Sequence, residues 1–286
     1  MDKERNIEKN PYINKDGQRE LHKSIVVFID ILGFKSLVQN AKDEGKSQEL
    51  FVDFHRVLST WFDRMESMRD FPSFVKRKDN YIIRIFTDCV LIGCPIKKDG
   101  HKYNFVEGAD EFFDVLSMVY LFQSEMVNQG YFVRGAVAVD ELYMDDVIIY
   151  GNGVTEAYEA ESKKAKFPRI ILAKSAKHMF MEIDGNFIQK GEKNFLSHFV
   201  NKDSDGQLFL NYLESIKIGE DSYQFVDVLE KHKQVLEREL SKYQGKAHIL
   251  EKYIWSANYH NFFCNQPPYY NEYEIDLTKY RMSVVE

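Results

Sequence analysis

The sequence predicts an α+β fold in which a mostly antiparallel sheet is flanked by helices, arranged as in ferredoxin-like proteins. The first observation is the apolar run at 24–35, which reads Ser-Ile-Val-Val-Phe-Ile-Asp-Ile-Leu-Gly-Phe-Lys. The second is the apolar run at 81–93, which is broken near its centre by a Thr-Asp pair. The third is the presence of segments with helical period between and after these runs. The resulting order of strand, two helices, two strands, helix and strand is that of a ferredoxin-like core with additions.

The individual elements follow from local patterns. The first strand carries apolar residues on both faces, as in the middle of a covered sheet, and Gly33 lets the chain turn. Gly130 ends the third helix, and a Gly-Asn-Gly segment at 151–153 opens the fourth. Large apolar residues at three- and four-residue steps indicate the second helix and are interpreted as core: Leu50, Phe51, Phe54, Leu58, Trp61, Phe62 and Met65. In chain order we expect a strand at 24–32, helices at 34–45 and 47–68, two strands within 81–94, a helix at 107–129, strands at 131–139 and 147–150, a helix from 151 to about 164 and a strand at 169–173.

The chain divides into three regions. Residues 1–20 are polar, and we expect them to be flexible. Residues 21–185 contain the predicted sheet with its helices and form the main domain. Residues 186–286 are expected to form a C-terminal helical extension packed on that domain, because a polar segment is followed by a long helical stretch at 225–265 that is interrupted at Gly245.

Composition excludes several classes of function. The formal net charge of −7 is opposite in sign to that expected for binding a phosphate backbone, so we expect no nucleic-acid partner. No apolar stretch approaches the roughly 20 residues that span a bilayer, and the charged start has no apolar signal region. We therefore expect a cytoplasmic protein with no membrane partner. The cysteines show no metal-ligand or disulfide spacing, and the sequence contains no P-loop, dinucleotide fingerprint or nucleophile elbow.

Two aspartates carry most of the functional information. Asp30 lies near the end of the first strand, and Asp88 lies 58 positions later at the tight connection between two strands. Hard divalent cations take oxygen ligands and can share them with phosphate groups. We therefore expect these carboxylates to be catalytic and to hold two metal ions over a nucleoside triphosphate. Each aspartate alone also fits a simpler interpretation, with Asp30 as a helix N-cap and Asp88 as a turn residue.

Neighbouring groups complete the predicted site. The carbonyl oxygen of Ile31 is expected as a further metal ligand, and the backbone amides of Leu32, Gly33 and Phe34, at a helix start, suit a phosphate tail. Lys252 is interpreted as a solvated helix lysine.

Several other polar residues have two interpretations. Arg84 and Arg134 lie in apolar strands, where each either reads a base or pairs with a carboxylate. Arg169 either reaches a phosphate or is an ordinary surface residue. Glutamates 156, 159 and 161 are interpreted as a solvated or salt-bridged helix face, with one of them a possible acceptor for a base or ribose. Three tyrosines offer either stacking surfaces for a base or core packing: Tyr103, Tyr131 and Tyr158.

Four segments resemble class III nucleotidyl cyclases. Residues 27–34 are similar to the first metal-binding segment of that superfamily, and residues 84–88 to its hairpin with the second metal aspartate. Residues 134–139 and 150–157 are similar to the following strand and to the glycine-containing entry of the next helix. The resemblance implies the class III cyclase fold, two Mn²⁺ or Mg²⁺ ions and a composite site between two such domains. A chain with a single domain would then form a head-to-tail homodimer.

A closer resemblance is to the pyrimidine cyclases of bacterial anti-phage (Pycsar) systems. It lies in residues 150–162, 165 and 168–170, and in residues 252–255 and 258–261 near the C-terminus. It implies conversion of UTP or CTP to the cyclic 3′,5′-monophosphate and pyrophosphate, and a product that activates a cyclic-nucleotide-sensing effector. We favour UTP because no feature is dedicated to the cytosine amino group. The implied nucleotide contacts are Leu32, Gly33, Phe34, Arg84, Arg134, Thr155 and Arg169.

The chain departs from purine cyclases at ribose- and phosphate-binding positions. Where those enzymes carry an asparagine and, four residues later, an arginine, this chain has Thr155 and Glu159. Arg84 takes the position of their purine-reading lysine. Because a glutamate repels a triphosphate, two alternatives stay open: an inactive cyclase-like module that binds a nucleotide or a partner, and a purine (ATP or GTP) cyclase with rearranged contacts.

Overall fold

The computed structural model of the protein describes residues 10–67, 80–97, 106–190, 198–214 and 222–280. The strands within these ranges are β1 (His22–Ile31), β2 (Ile82–Phe86), β3 (Cys89–Pro95), β4 (Val133–Met144), β5 (Ile149–Tyr150), β6 (Ile170–Leu172), β7 (Val200–Lys202) and β8 (Leu208–Leu210). The α-helices are α1 (Phe34–Asp43), α2 (Ser47–Ser67), α3 (Ala109–Asn128), α4 (Asn152–Lys164), α5 (Lys174–Gln189), α6 (Ser222–Lys242) and α7 (Ala247–Cys264).

The centre of the fold is an antiparallel sheet. β1 lies between β3 and β4 and is antiparallel to both, while β2 pairs with the outer edge of β3. The helices α1 and α2 connect β1 to β2 across β3, and α3 connects β3 to β4 across β1. This interleaving of two split β-α-β units is the ferredoxin-like arrangement, and it confirms the predicted fold class.

Helices cover both faces of this sheet. α3 and α4 each contact β1 and β4. Every residue of β1 from Ser24 to Ile29 is buried, so the side chains on both faces of this strand are covered. Gly153 permits the close approach of α4, since a Cβ there would lie 2.6 Å from Cγ2 of Val26. The core interpretation of the α2 aromatics holds for Trp61, which is buried, and is wrong for Phe51 and Phe62, which are exposed.

None of the described helices is both long and apolar enough to cross a bilayer.

The sheet continues beyond the ferredoxin-like core. β6 runs parallel to β4, and β8 and β7 then extend the sheet in antiparallel fashion. Both added strands lie in the polar segment that was expected to belong to a helical extension, so that region is not purely helical. Strands of three residues are too short to leave a periodic pattern in the sequence.

The start of the described chain is packed, which differs from the expected flexible region. Tyr12 is fully buried, and its hydroxyl donates a hydrogen bond to Oγ of Ser24 at 3.2 Å. Ile13 and Arg19 form an isolated β-bridge. This stretch is therefore packed against the sheet at Tyr12, whereas residues 1–9 lie outside the described ranges.

Candidate metal centre

Pairing of β1 with β3 brings the two predicted aspartates together. Asp30 lies opposite Cys89 in the register of these strands, and Asp88 directly precedes Cys89 in the hairpin turn between β2 and β3. The backbone amide of Ile31 donates to the Asp88 carbonyl oxygen at 2.9 Å, which ties the turn to β1. Potential ligand atoms of Asp30, Asp88 and Cys89 all lie within 4.8 Å of one another. The carboxylates that are far apart in sequence thus share one site.

The turn that carries Asp88 is held in an unusual backbone conformation. Thr87 has a φ of 53°, which is an outlier for a β-branched residue and costs free energy. Its hydroxyl oxygen lies 2.7 Å from both the Phe86 carbonyl oxygen and Oδ1 of Asp88. The two-residue connection therefore fixes the direction of the Asp88 side chain at the expense of local strain.

An arginine links the site to a buried glutamate. Nε of Arg134 donates to Oδ2 of Asp30 at 3.1 Å and lies 2.8 Å from Oε1 of Glu161, whose side chain is only 3% exposed. Arg134 thus pairs with carboxylates, which is one of its two predicted interpretations. Burial raises the pKa of Asp30, an effect that Arg134 and Lys252 oppose and Asp88 reinforces. Burial likewise raises the pKa of Glu161.

The donor set fits a hard divalent cation. Asp30 and Glu161 both pair with the Arg134 guanidinium, and Asp88 adds a further carboxylate within ligand distance of Asp30, so the acidic groups outnumber the arginine that pairs with them. Asp30 and Asp88 are both partly exposed and offer oxygen atoms, which Mg²⁺ and Mn²⁺ prefer. Glu161 is a member of the site, and its ion pair with Arg134 agrees with the predicted salt-bridged helix face.

Cys89 is the residue that sequence reasoning missed. The spacing of the cysteines gave no metal-ligand pattern, yet the β1–β3 register places the Cys89 sulfur beside the two carboxylates. Burial, reinforced by the charges of Asp88 and Asp30, raises the pKa of its thiol to about 11. A neutral thiol is a weak ligand for hard cations, so the oxygen donors dominate the chemistry of the site.

The segment after Asp30 has backbone amides that are only partly available for the phosphate binding predicted for it. Gly33 has a φ of 74° and precedes α1, which has no side-chain cap, so the first-turn amides of α1 are available. The Leu32 amide, however, donates to the carbonyl oxygen of Phe132 at 2.8 Å. The expectation that Leu32 donates its amide to a phosphate is therefore wrong, whereas Gly33 and Phe34 keep that prediction.

Two other predicted nucleotide contacts are engaged elsewhere. Arg84 pairs with Asp146, and its Nε donates to the Asp145 carbonyl oxygen at 3.3 Å. Of its two predicted roles, Arg84 therefore has that of pairing with a carboxylate. Arg169 is fully buried and pairs with Asp203 and Asp205. Both predicted interpretations of Arg169, a phosphate contact and a surface residue, are wrong because its guanidinium is a buried structural cation.

The α4 residues that depart from purine cyclases face solvent. Thr155 is exposed, and its hydroxyl lies 3.5 Å from the Gly151 carbonyl oxygen. Glu159 pairs with Lys163 one turn further along, at 3.3 Å. Tyr158 is half-exposed and meets Phe28 edge-on, with 5.4 Å between the ring centroids.

Of the other two predicted stacking tyrosines, Tyr131 lies within the described residues. Tyr131 is buried, and its hydroxyl donates to Oδ2 of Asp53 at 3.0 Å, as expected for core packing. Tyr103 lies outside the described residues.

Topology and paired carboxylates together define a ferredoxin-like α+β protein with a candidate site for divalent cations. No family model and no curated protein matches the sequence. Among solved structures, the chain is similar to a class III adenylyl cyclase-like ATP-binding protein from Pseudomonas aeruginosa, with 14% sequence identity and a TM-score of 0.36. The match covers 56% of this chain and 35% of that one. A similarity this low identifies neither a substrate nor an activity.

Proposed function

We propose that this protein is a nucleotidyl cyclase that converts a pyrimidine nucleoside triphosphate, UTP in preference to CTP, to its cyclic 3′,5′-monophosphate. The observation that carries the proposal is the convergence of Asp30 and Asp88, from distant parts of the chain, at one end of a ferredoxin-like sheet. A helix start with uncapped amides follows Asp30 within four residues. Carboxylates for cations and amides for phosphates are thus available side by side.

The protein's own groups have distinct roles in the proposed reaction. Asp30 and Asp88 would hold the metal ions, with the Ile31 carbonyl oxygen as a further ligand, and Arg134 opposes the rise that burial causes in the pKa of Asp30. Bound Mn²⁺ or Mg²⁺ would supply Lewis acidity to the ribose hydroxyl and neutralise phosphate charge. The ribose 3′-oxygen forms a bond to the α-phosphorus. At the same time, the bond between the α-phosphorus and the oxygen that bridges it to the β-phosphorus breaks. Pyrophosphate leaves with that electron pair, and the hydroxyl proton passes to solvent.

The preference for pyrimidines and the biological role rest on the sequence resemblance. Arg84, at the purine-reading position, is tied to Asp146, and Glu159 replaces the arginine of purine cyclases. Both departures favour a substrate other than ATP or GTP. In this proposal the cyclic product is a second messenger of anti-phage defence that acts through a cyclic-nucleotide-sensing effector.

A head-to-tail homodimer belongs to the same proposal. Apolar side chains are exposed around β5, with Val147 at 92%, Tyr150 at 62% and Ile148 at 49% exposure. Such exposed apolar side chains are suited to self-association. Light scattering at micromolar concentration should give twice the chain mass, and a fully active monomer would contradict the dimer.

Product analysis tests the proposed activity. The protein is incubated separately with UTP, CTP, ATP and GTP, with Mn²⁺ or Mg²⁺, and the products are identified by mass spectrometry. Cyclic UMP and pyrophosphate are expected, and Asp30→Asn and Asp88→Asn should abolish both. Asp63→Asn, at an exposed position on α2, is the matched control and should retain activity.

Two alternatives are decided by the same experiment. The exposed Thr155 and Glu159 favour a non-catalytic module, which would bind a nucleotide without releasing pyrophosphate. Cyclic AMP or cyclic GMP as the main product would instead establish a purine cyclase with rearranged contacts. The absence of any cyclic product with either metal would remove the proposed activity.

A further inference from the structure

A cavity of about 380 Å³ lies between the start of α1 and the C-terminal helices. Its size falls within the range of roughly 300–1,000 Å³ that is typical of ligand sites. On one side it is lined by Leu32, Gly33 and Ser36, and on the other by residues of α6 and α7. Leu32 and Gly33 directly follow Asp30 and Ile31, so part of the cavity lining adjoins the candidate metal centre along the chain.

The side of the cavity formed by α6 and α7 is positively charged. Arg238 and Lys242 of α6 and Lys252 of α7 line it, together with a single carboxylate, Glu239. Glu239 is buried, lies 2.9 Å from Nε of Arg238 and 3.7 Å from Nζ of Lys242, and so partly neutralises these two. Among the described residues, no carboxylate forms an ion pair with the half-buried Lys252. A surplus of positive charge in a chain with a net charge of −7 marks this cavity as a site for an anion.

Packing positions these cations toward the main domain. Gly130 leaves room for Arg238, because a Cβ at Gly130 would lie 2.7 Å from Nη2 of the arginine. Beside Lys252, Tyr253 stacks on Tyr243 with 5.5 Å between ring centroids and meets Phe132 edge-on at 4.9 Å. The lysine therefore projects from a helix that is fixed against the end of α3 and the start of β4.

We propose that α6 and α7 supply a polyphosphate-binding subsite in the same chain that carries Asp30 and Asp88. The anion is the β- and γ-phosphate tail of the nucleotide, so this identification of the ligand rests on the proposed function. Lys252 is the principal cation, and Arg238 and Lys242 assist from the more exposed rim. The amide of Gly33 and the hydroxyl of Ser36 face the tail from α1. This subsite provides the positive charge that Glu159 cannot supply.

Binding of inorganic triphosphate in EDTA tests the subsite without metal or turnover. Isothermal titration should detect binding to the wild-type protein that weakens with salt. Lys252→Gln should weaken it roughly tenfold, equivalent to about 1.4 kcal/mol, and the double variant Arg238→Gln/Lys242→Gln should weaken it by a smaller factor because these side chains are exposed. Lys231→Gln is the matched control, since Lys231 is an exposed residue of α6 that does not line the cavity.

The outcomes separate this inference from the proposed activity. Equal losses in Lys252→Gln and Lys231→Gln would reduce the effect to overall charge and overturn the subsite. Cyclisation of UTP with an unchanged KM in Lys252→Gln would also overturn it while leaving the activity intact. Selective loss of triphosphate binding in Lys252→Gln, in a protein that forms no cyclic product, would support the subsite and refute the proposed activity.

Discussion

Replacement of Arg134 by methionine tests the charge network behind the candidate metal centre. Its Nε lies 3.1 Å from Oδ2 of Asp30 and 2.8 Å from Oε1 of Glu161. The Glu161 side chain is 3% exposed, so Arg134→Met leaves a carboxylate buried with no compensating charge. Breaking a buried pair in this way costs about 3–5 kcal/mol. The partly exposed Asp30 adds less because solvent screens it.

The expected loss depends on pH in a defined direction. Burial already raises the pKa of Glu161, and removal of Arg134 raises it further. A carboxyl group whose pKa is higher in the folded chain than in the unfolded chain destabilises the fold as pH rises. The destabilisation by Arg134→Met should therefore be larger at pH 8 than at pH 5, because Glu161 is ionised to a smaller extent at the lower pH.

Urea unfolding of a double-mutant cycle measures this effect. Arg134→Met, Glu161→Gln and the double variant are compared at both pH values, and the double variant should recover most of the loss because no buried charge remains. Lys163→Met, which breaks the exposed pair with Glu159, is the control and should cost less than about 0.5 kcal/mol. A loss below about 1 kcal/mol for Arg134→Met, or no recovery in the double variant, would refute the reasoning.

Three further predictions concern single features of the fold and the site. His232 and His260 are buried with their Nδ1 atoms 2.9 Å apart, and burial lowers the pKa of both, that of His260 to about 4. Because the unfolded chain binds these protons below about pH 6.5, the free energy of unfolding should fall by about 2 kcal/mol per histidine, or about 4 kcal/mol in total, from pH 7 to pH 5, and in urea titrations His260→Gln should reduce this fall. Cys89→Ser should leave Mn²⁺ affinity within about threefold of wild type, since the neutral thiol contributes little; a much larger loss by calorimetry would make Cys89 a ligand. Thr87→Asn should raise the free energy of unfolding by about 1 kcal/mol, because asparagine adopts a positive φ more readily; a lower melting temperature would contradict the strain at this turn.

The sequence predicted the elements that carry long apolar patterns. The buried strand through Asp30 and the hairpin around Asp88 both show as long, mostly apolar runs, so their existence and their approximate bounds were predictable. β7 and β8 were missed because strands of three residues have no detectable period. The exposure of Phe51 was also missed. The spacing of apolar residues shows which side of a helix faces the core, but it does not show how much of that side the neighbouring elements cover.

Within the candidate site, the carboxylate pair was predictable and its surroundings were not. Cys89 and Glu161 join the site through strand register and helix packing, which link residues that no local motif connects. Arg169 was misread because its partners, Asp203 and Asp205, lie more than 30 positions later in a segment that reads as polar surface. Lys252 looks like any solvated helix lysine until the fold places it across a cavity from the start of α1.

Binding of Mn²⁺ tests the central claim most directly. Electron paramagnetic resonance titrations are made on wild-type protein, Asp30→Asn and Asp88→Asn, with a UTP analogue that cannot be cyclised. About two ions per chain should bind to the wild type, and either substitution should abolish or strongly weaken their binding, while Asp63→Asn should bind them normally. Equal binding by all four proteins, or none by the wild type, would contradict a metal site built from Asp30 and Asp88.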